Sequence, residues 1–522
     1  MRRYIKYSAH VNLFLNMKKI ITEIFQNKIN YFILGFILVS ATFLRVFRTD
    51  QVLGFYYDQG RDALVIADLL EKGKFFLIGP TTGIAGIFRG PFYYYLIAPF
   101  YWLGNGNPVY PAIFLALTTV AALVLLYILG KELVDRKTGI IAVTLASFSF
   151  YIMYASRWLS NPTPMLFLSL ALLYSMLLIQ KGKQWAWIAL SFIAGSSLFH
   201  FGSSGEFFYF PALLVFALWQ CGIFRRKPKF PSVLIIVFSI FAFAITAAPL
   251  VIFDLKHDNI LSNNLAKFFG ADESFKASFW EVAQQRLQFV WDVFYSKIFL
   301  RKGSLESVLF LLVIGVGILK LPALLKNKYL IPLFIILLSP VIGLLFFQGN
   351  EGNIYDYYLT GYYLLFILFV AVLLRETLRI WAIGIVIAGV FLITSFKQNI
   401  EPTWSFIHDG VDGPTTIAFG NQKQVFDWIY TDAAGSEFNI DTYVPPVIPY
   451  AYTYLGRWYT NGLGMEGIVE DQRSLLYTIY EVDPPHPERL SAWMKRQEGI
   501  GRIVYEAKFG GITVQRRERL LK

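Results

Sequence analysis

GPFYYYLIAPFYWLG, residues 90–104, decides the fold by what it is too short to do. Its apolar stretch, Pro91 to Leu103, carries prolines at 91 and 99 and tyrosines at 93, 94, 95 and 101. A helix of that length reaches only about 20 Å at ~1.5 Å per residue, well short of ~30 Å of hydrocarbon. It therefore reads as a re-entrant or interfacial helix rather than a membrane span.

Runs long enough to cross begin near Tyr31, Pro108, Thr138, Asn161, Trp185, Glu206, Pro231, Leu305, Tyr329, Tyr357 and Arg379, which predicts eleven spans. With residues 90–104 left out, the clusters Lys131/Arg136/Lys137, Lys181/Lys183, Arg225/Arg226/Lys227/Lys229, Lys326/Lys328 and Arg375/Arg379 all share the side of the basic N-terminus. Counting that stretch as a span throws most of them outside. The excess of lysine and arginine in cytoplasmic loops thus selects an odd number of spans, a cytoplasmic N-terminus and an external C-terminal region.

Composition agrees with a lipid solvent: 56% of the 522 residues are apolar, 16% are charged, and mean hydropathy is +0.51. The formal charge of +12 sits in short clusters between apolar runs, so it reports topology and not nucleic-acid binding. Cys221 is the single cysteine and can form neither an intrachain disulfide nor a thiolate metal cluster. Residues 1–30 are basic and amphipathic and lead into the first run without a small-residue cleavage site, the pattern of an uncleaved signal anchor.

The predicted architecture is a polytopic α-helical membrane domain over residues 31–397, followed by a small external α/β domain over 398–522. Sizeable external loops occupy residues 50–107, 254–304 and 348–356, the first bearing juxtamembrane helices. In the tail, QVFDWIYTDAA and ERLSAWMKRQ read as helices and FNIDTYVP and LLYTIYEV as strands. RIVYEAKFGGITVQRRE reads as a hairpin around Gly510-Gly511.

The unusual polar residues gather on the outer side. In FYYDQGRDALVIADLLEKG, Asp58 and Asp62 are four apart and share one face of a helix, with Arg61 adjacent. A carboxylate held among Phe55, Tyr56 and Tyr57 loses hydration and suits a general base; the bland alternative is a helix cap at Asp58 with Asp62 facing water. YASRWLSNPTP places Arg157, Trp158 and Asn161 at the mouth between two spans, where Arg157 can hold a phosphate bidentately or anchor at the interface beside Trp158. PLVIFDLKHDN offers Asp254, Lys256, His257 and Asp258 directly after a span, the best candidate for a lipid-phosphate clamp. His200 reads as a structural histidine, and Glu351, Asp356, Tyr357 and Tyr358 mark the last external loop, where a sugar can stack on tyrosine. The five histidines show no metal-ligand spacing, and no cofactor is expected.

Taken in order, YYDQGRDA, GPFYYYLIAPFYWLG, the turn LGKELVDRKTG, YASRWLSNPTP, PLVIFDLKHDN and YDYYLTGYYLL resemble segments of membrane glycosyltransferases with the C-type fold. The resemblance is to the bacterial relatives of protein O-mannosyltransferases and of the aminoarabinose transferase that modifies lipid A. It implies a sugar donor on polyprenyl phosphate, a lipid, glycan or protein acceptor, and inversion at the anomeric centre. It also implies Asp58 as base, with Arg61, Asp62, Arg89 and Asn161 in support. Arg157, Lys256 and His257 would hold the donor phosphate, and Tyr57, Trp158, Tyr357 and Tyr358 would contact sugar or lipid. Many members of the family carry a second acidic residue near the position of Asn161, so asparagine departs from the commoner pattern and weakens the case for a metal, which the residues leave possible but unsupported. The implied home is the plasma membrane. A transporter of lipid-linked saccharides is the competing reading, and the near absence of charge within the spans counts against it.

Overall fold

The computed structural model describes residues 22–23, 25–82, 86–223, 229–270, 278–347, 353–411, 413–445 and 448–520. The N-terminal 21 residues, Arg225, Arg226, Lys227 and Glu351 lie outside them. Each of the eleven apolar runs is helical, from Lys28–Val46 to Trp381–Asp409. Six of these helices are long and apolar enough to cross a membrane, and a seventh is the pair Arg136–Phe148 and Phe150–Ser156, bent by 72°. The other four are shorter: Met165–Gln180 and Ile331–Phe346 have 16 residues, Tyr209–Cys221 has 13, and Ala186–Ser196 continues into a π-turn at Ser197–Phe201. Phe92–Leu103 forms a 12-residue helix and is not among the candidate spans, as its length predicts.

Large apolar side chains stand exposed on the spans, Phe241 at 61%, Leu319 at 80% and Ile383 at 67%, a surface that only lipid can cover. Within such a solvent every broken backbone hydrogen bond needs a protein partner. The bent pair shows how this is met. Arg45 donates to the carbonyls of Ala146 and Ser147 at 3.0 and 3.2 Å, and Asn399 accepts from the Phe150 amide at 2.9 Å while donating to Ile298. The last long helix runs on past residue 398 to Asp409, so its buried Asn399 lies inside a continuous helix.

The tail folds as read from its pattern. Helices Phe419–Ala433 and Pro487–Glu498 accompany β1 (Asn439–Tyr443), β2 (Leu475–Glu481), β3 (Gly501–Phe509) and β4 (Ile512–Arg519). The sheet order is β1-β2-β4-β3, with β1 and β2 parallel and the β3–β4 hairpin turning at Gly510, whose φ of 58° favours glycine. One helix escaped the sequence reading, Tyr450–Arg457, because it is only eight residues long and rich in tyrosine.

That helix docks the tail onto the first external loop. It lies against helix Tyr57–Lys72 so closely that a Cβ at Gly60 would strike the backbone of Ala451. Tyr57 packs edge-on against Tyr450 at 4.9 Å, and Arg457 pairs with Asp68 and Glu71, both at 2.9 Å. Gln422 donates to the carbonyl of Phe55, and the Phe419 amide to that of Leu53, both at 2.9 Å. Membrane body and tail therefore share one packed core around Phe55, Tyr101, Phe419 and Tyr454.

Candidate active site

Helix Tyr57–Lys72 carries the candidate base in its first turn, where a negative charge also complements the helix dipole. Asp58 does not cap this helix. The Tyr56 amide donates instead to Gln59 Oε1 at 3.1 Å, and Gln59 Nε2 reaches the Leu159 carbonyl, tying the helix to the 157–161 turn. The carboxylates at 58 and 62 share a face as their spacing predicts, and Arg61 joins them, at 2.8 Å to each.

Their surroundings differ sharply. The Asp58 side chain is 61% exposed, whereas that of Asp62 is 8% exposed and takes hydrogen bonds from Arg61 Nε at 3.0 Å and Tyr94 Oη at 2.8 Å. Burial pushes the Asp62 carboxyl up to about 6 against the opposing pull of Arg61 and Tyr94. Arg61 also donates to Thr81 Oγ1 at 2.8 Å. The arginine is thus fixed by two internal anchors, and the Nη1 that meets Thr81 also holds the exposed Asp58 carboxylate.

Facing this helix is an aromatic wall. Trp158 meets Tyr357 edge-on at 5.8 Å, and Tyr357 meets Tyr358 at 4.9 Å. Tyr357 lies within electrostatic reach of both Asp58 and Arg89. Arg89 is held by its backbone, donating its amide to Pro80 and accepting from Gly79, while its guanidinium makes no hydrogen bond or ion pair to a protein group among the described residues. It feels the charge of Glu206 and the hydroxyls of Tyr357 and Tyr358.

Arg157 departs from its expected role. It is buried, and its guanidinium donates to the carbonyls of Leu44 and Phe47 at 2.9 and 3.0 Å, closing the end of the first span. Those donors are spent on backbone, which leaves little for a bidentate phosphate. Asn161 likewise spends its amide on the Phe201 carbonyl at 3.2 Å.

Lys256 and His257 are exposed at the end of helix Val233–Lys256. His257 stacks on Phe253 at 4.0 Å, and Phe253 touches Phe88, which puts the pair beside the Arg89 segment at the rim. Asp254 caps the next helix through the amides of Leu261 and Ser262. His200 is a structural histidine: its ring stacks on Phe92 at 3.7 Å and Nε2 reaches the Thr246 carbonyl at 2.7 Å.

Two charged residues escaped the sequence reading. Glu206 is buried and accepts from the Ser203 amide and hydroxyl and from the Gly361 amide, pinning the Asp356–Tyr362 turn to the body. The Ser-x-x-Glu spacing of a capping box signals it. Lys297 is 2% exposed, 3.7 Å from Asp356 and stacked on Tyr363 at 4.2 Å and Tyr151 at 4.7 Å. Burial lowers its ammonium to about 8, with Asp356 opposing. No local pattern betrays it.

Residues 89–250, which hold Arg89, the short aromatic helix and the 157–161 turn, match the family model for dolichyl-phosphate-mannose-protein mannosyltransferases. The match covers 162 of the 522 residues, and together with the fold it makes the chain similar to membrane glycosyltransferases of the C-type fold. The architecture is similar to ArnT from Cupriavidus metallidurans in the apo state, with a TM-score of 0.57 at 10% identity over 93% of this chain and 97% of that one. ArnT from the same organism bound to undecaprenyl phosphate gives a TM-score of 0.50 at 12% identity over the same shares. No curated protein matches the chain by sequence.

Proposed function

We propose that the protein is an inverting transferase that moves a sugar from a polyprenyl-phosphate donor to an acceptor hydroxyl at the outer face of the membrane. The observation that carries this reading is the Asp58–Arg61–Asp62 arrangement, an exposed carboxylate aimed by an arginine that a buried carboxylate holds in place. Asp58 takes the acceptor proton as the acceptor oxygen forms its bond to the anomeric carbon. The bond from that carbon to the phosphate oxygen breaks, and the electron pair leaves with polyprenyl phosphate, already an anion that needs no proton.

Arg89 is the cation best placed for the donor phosphate, with Lys256 and His257 at the rim, and Trp158, Tyr357 and Tyr358 give the sugar an aromatic wall. The undecaprenyl phosphate bound to one similar structure supports the donor class. The charge bias supports eleven spans with the N-terminus in the cytoplasm and the tail outside the plasma membrane. We read the chemistry as metal-independent because Asn161 supplies an amide rather than a carboxylate and its nitrogen is spent on the Phe201 carbonyl.

The test is transfer of radiolabelled sugar from a panel of polyprenyl-phosphate sugars by the purified protein in nanodiscs, with Asp58→Asn beside it. Transfer is expected to fall by about 10²–10⁴-fold in the variant at unchanged thermal stability, and to be indifferent to EDTA. Full activity of Asp58→Asn removes the proposed base; donor translocation without cleavage returns the transporter reading.

A further inference from the structure

A cavity of about 160 Å³ lies at the far end of helix Tyr57–Lys72, where that helix, the Phe92–Leu103 helix and the tail meet. Its floor is Ile66 and Ala67, and its walls include Tyr101 and Trp458. Trp102 stands at the rim, 70% exposed. The charged groups in the lining, Glu71 and Arg457, are paired at 2.9 Å, so the cavity presents no net charge to a ligand. Asn461 donates to Glu71 at 3.0 Å and Asn105 to the Gly462 carbonyl, which leaves both amide oxygens without a protein partner among the described residues.

An aromatic platform, hydrogen-bond acceptors of fixed direction and a balanced charge pair suit a neutral polyhydroxylated ring, and disfavour an anion. The volume suits about one such ring. Residues 58, 66 and 71 sit on one helix, which puts the cavity between about 12 and 20 Å from Asp58 along its axis at ~1.5 Å per residue. That is a distance an acceptor with several sugars can bridge.

We propose that this cavity is a saccharide-binding subsite that grips a distal neutral sugar of a glycan acceptor while its terminal hydroxyl reaches Asp58. The acceptor role rests on the transferase reading above, whereas sugar binding by the cavity does not. Both walls are needed, so the tail and the first loop form the subsite jointly.

The experiment is tryptophan-fluorescence titration of the full protein in phosphatidylcholine nanodiscs with neutral tetrasaccharides of glucose, mannose and N-acetylglucosamine. A second arm uses nanodiscs containing a monoglycosyl diacylglycerol, read by cross-saturation NMR. Saturable binding of at least one probe is expected, weakened about tenfold by Trp102→Ala and by Asn461→Ala. Binding of the soluble tetrasaccharide identifies a glycan; binding confined to the glycolipid arm identifies a headgroup as the source of the same sugar. No binding in either arm overturns the proposal, as does binding indifferent to both cavity variants, which leaves Trp102 as an interfacial anchor. Intact sugar binding with no transfer activity in any assay defeats the transferase reading and leaves the subsite standing.

Discussion

The first external loop and the start of the third both place charge just outside a span, and only the first gathers two carboxylates on one guanidinium. In the first, Arg61 is held by Asp62, Thr81 and Asp58, and helix Tyr57–Lys72 is pinned by Leu159 on one side and by Ala451 and Arg457 on the other. In the third, Lys256 and His257 stand exposed at a helix end, and the acidic neighbour Asp254 is absorbed in capping. Catalytic electrostatics depend on groups that need no reorganisation when charge develops, a condition that the Asp58–Arg61–Asp62 group meets and the exposed Lys256 and His257 do not. The third loop suits capture at the rim.

The comparison breaks or sharpens on measurable contrasts. Arg89→Ala should cut kcat/KM for the lipid-linked donor by about 10²–10³-fold, since it removes the uncommitted cation proposed to meet the phosphate. An effect within a few fold would shift the phosphate to the third loop. Arg157→Ala should act on stability instead, lowering it by about 1–3 kcal/mol through the unmet carbonyls of Leu44 and Phe47, with the donor KM unchanged in whatever protein remains folded. A raised KM at normal thermal stability would restore Arg157 to the phosphate.

A third contrast concerns the tail that pins the first loop. Glu481 is buried with Tyr452 Oη at 2.7 Å, and burial raises its carboxyl to about 7. A carboxyl raised in the folded state holds its proton more tightly there than when unfolded, so its contribution to stability is present at low pH. It is lost as pH rises from about 4.5 to about 7. Thermal unfolding followed from pH 5 to 8 should show that decline in the wild type and a shallower one in Glu481→Gln; identical slopes would remove Glu481 as the cause. The smallest effect is expected for Lys256→Ala with His257→Ala, a few-fold loss in kcat/KM that fades as salt rises, because exposed charges are screened. A loss matching that of Arg89→Ala would erase the distinction between the loops.

Local spacing made much of this legible. Apolar run length gave a helix for each of the eleven runs, the 13-residue limit kept Phe92–Leu103 out of the spans, and alternation around Gly510-Gly511 gave the β3–β4 hairpin. Asp58 and Asp62 could be paired from their four-residue interval alone, since one helical turn brings them to the same guanidinium. These features need only neighbours along the chain.

The roles of the arginines could not be read that way. Arg157 and Arg89 look equally free in sequence, and what separates them is that the first meets carbonyls at 44 and 47, more than a hundred residues away, while the guanidinium of the second meets none among the described residues. Glu206 finds its partner at Gly361, Lys297 at Asp356, and Gly60 its neighbour at Ala451. The sequence by itself determined the solvent, the helices and the candidate base, because hydrophobic period and helical turn are local quantities. Only the tertiary structure decided which charges are spent on the fold and which remain for a substrate, because burial and hydrogen-bond partners are set by residues far apart in the chain.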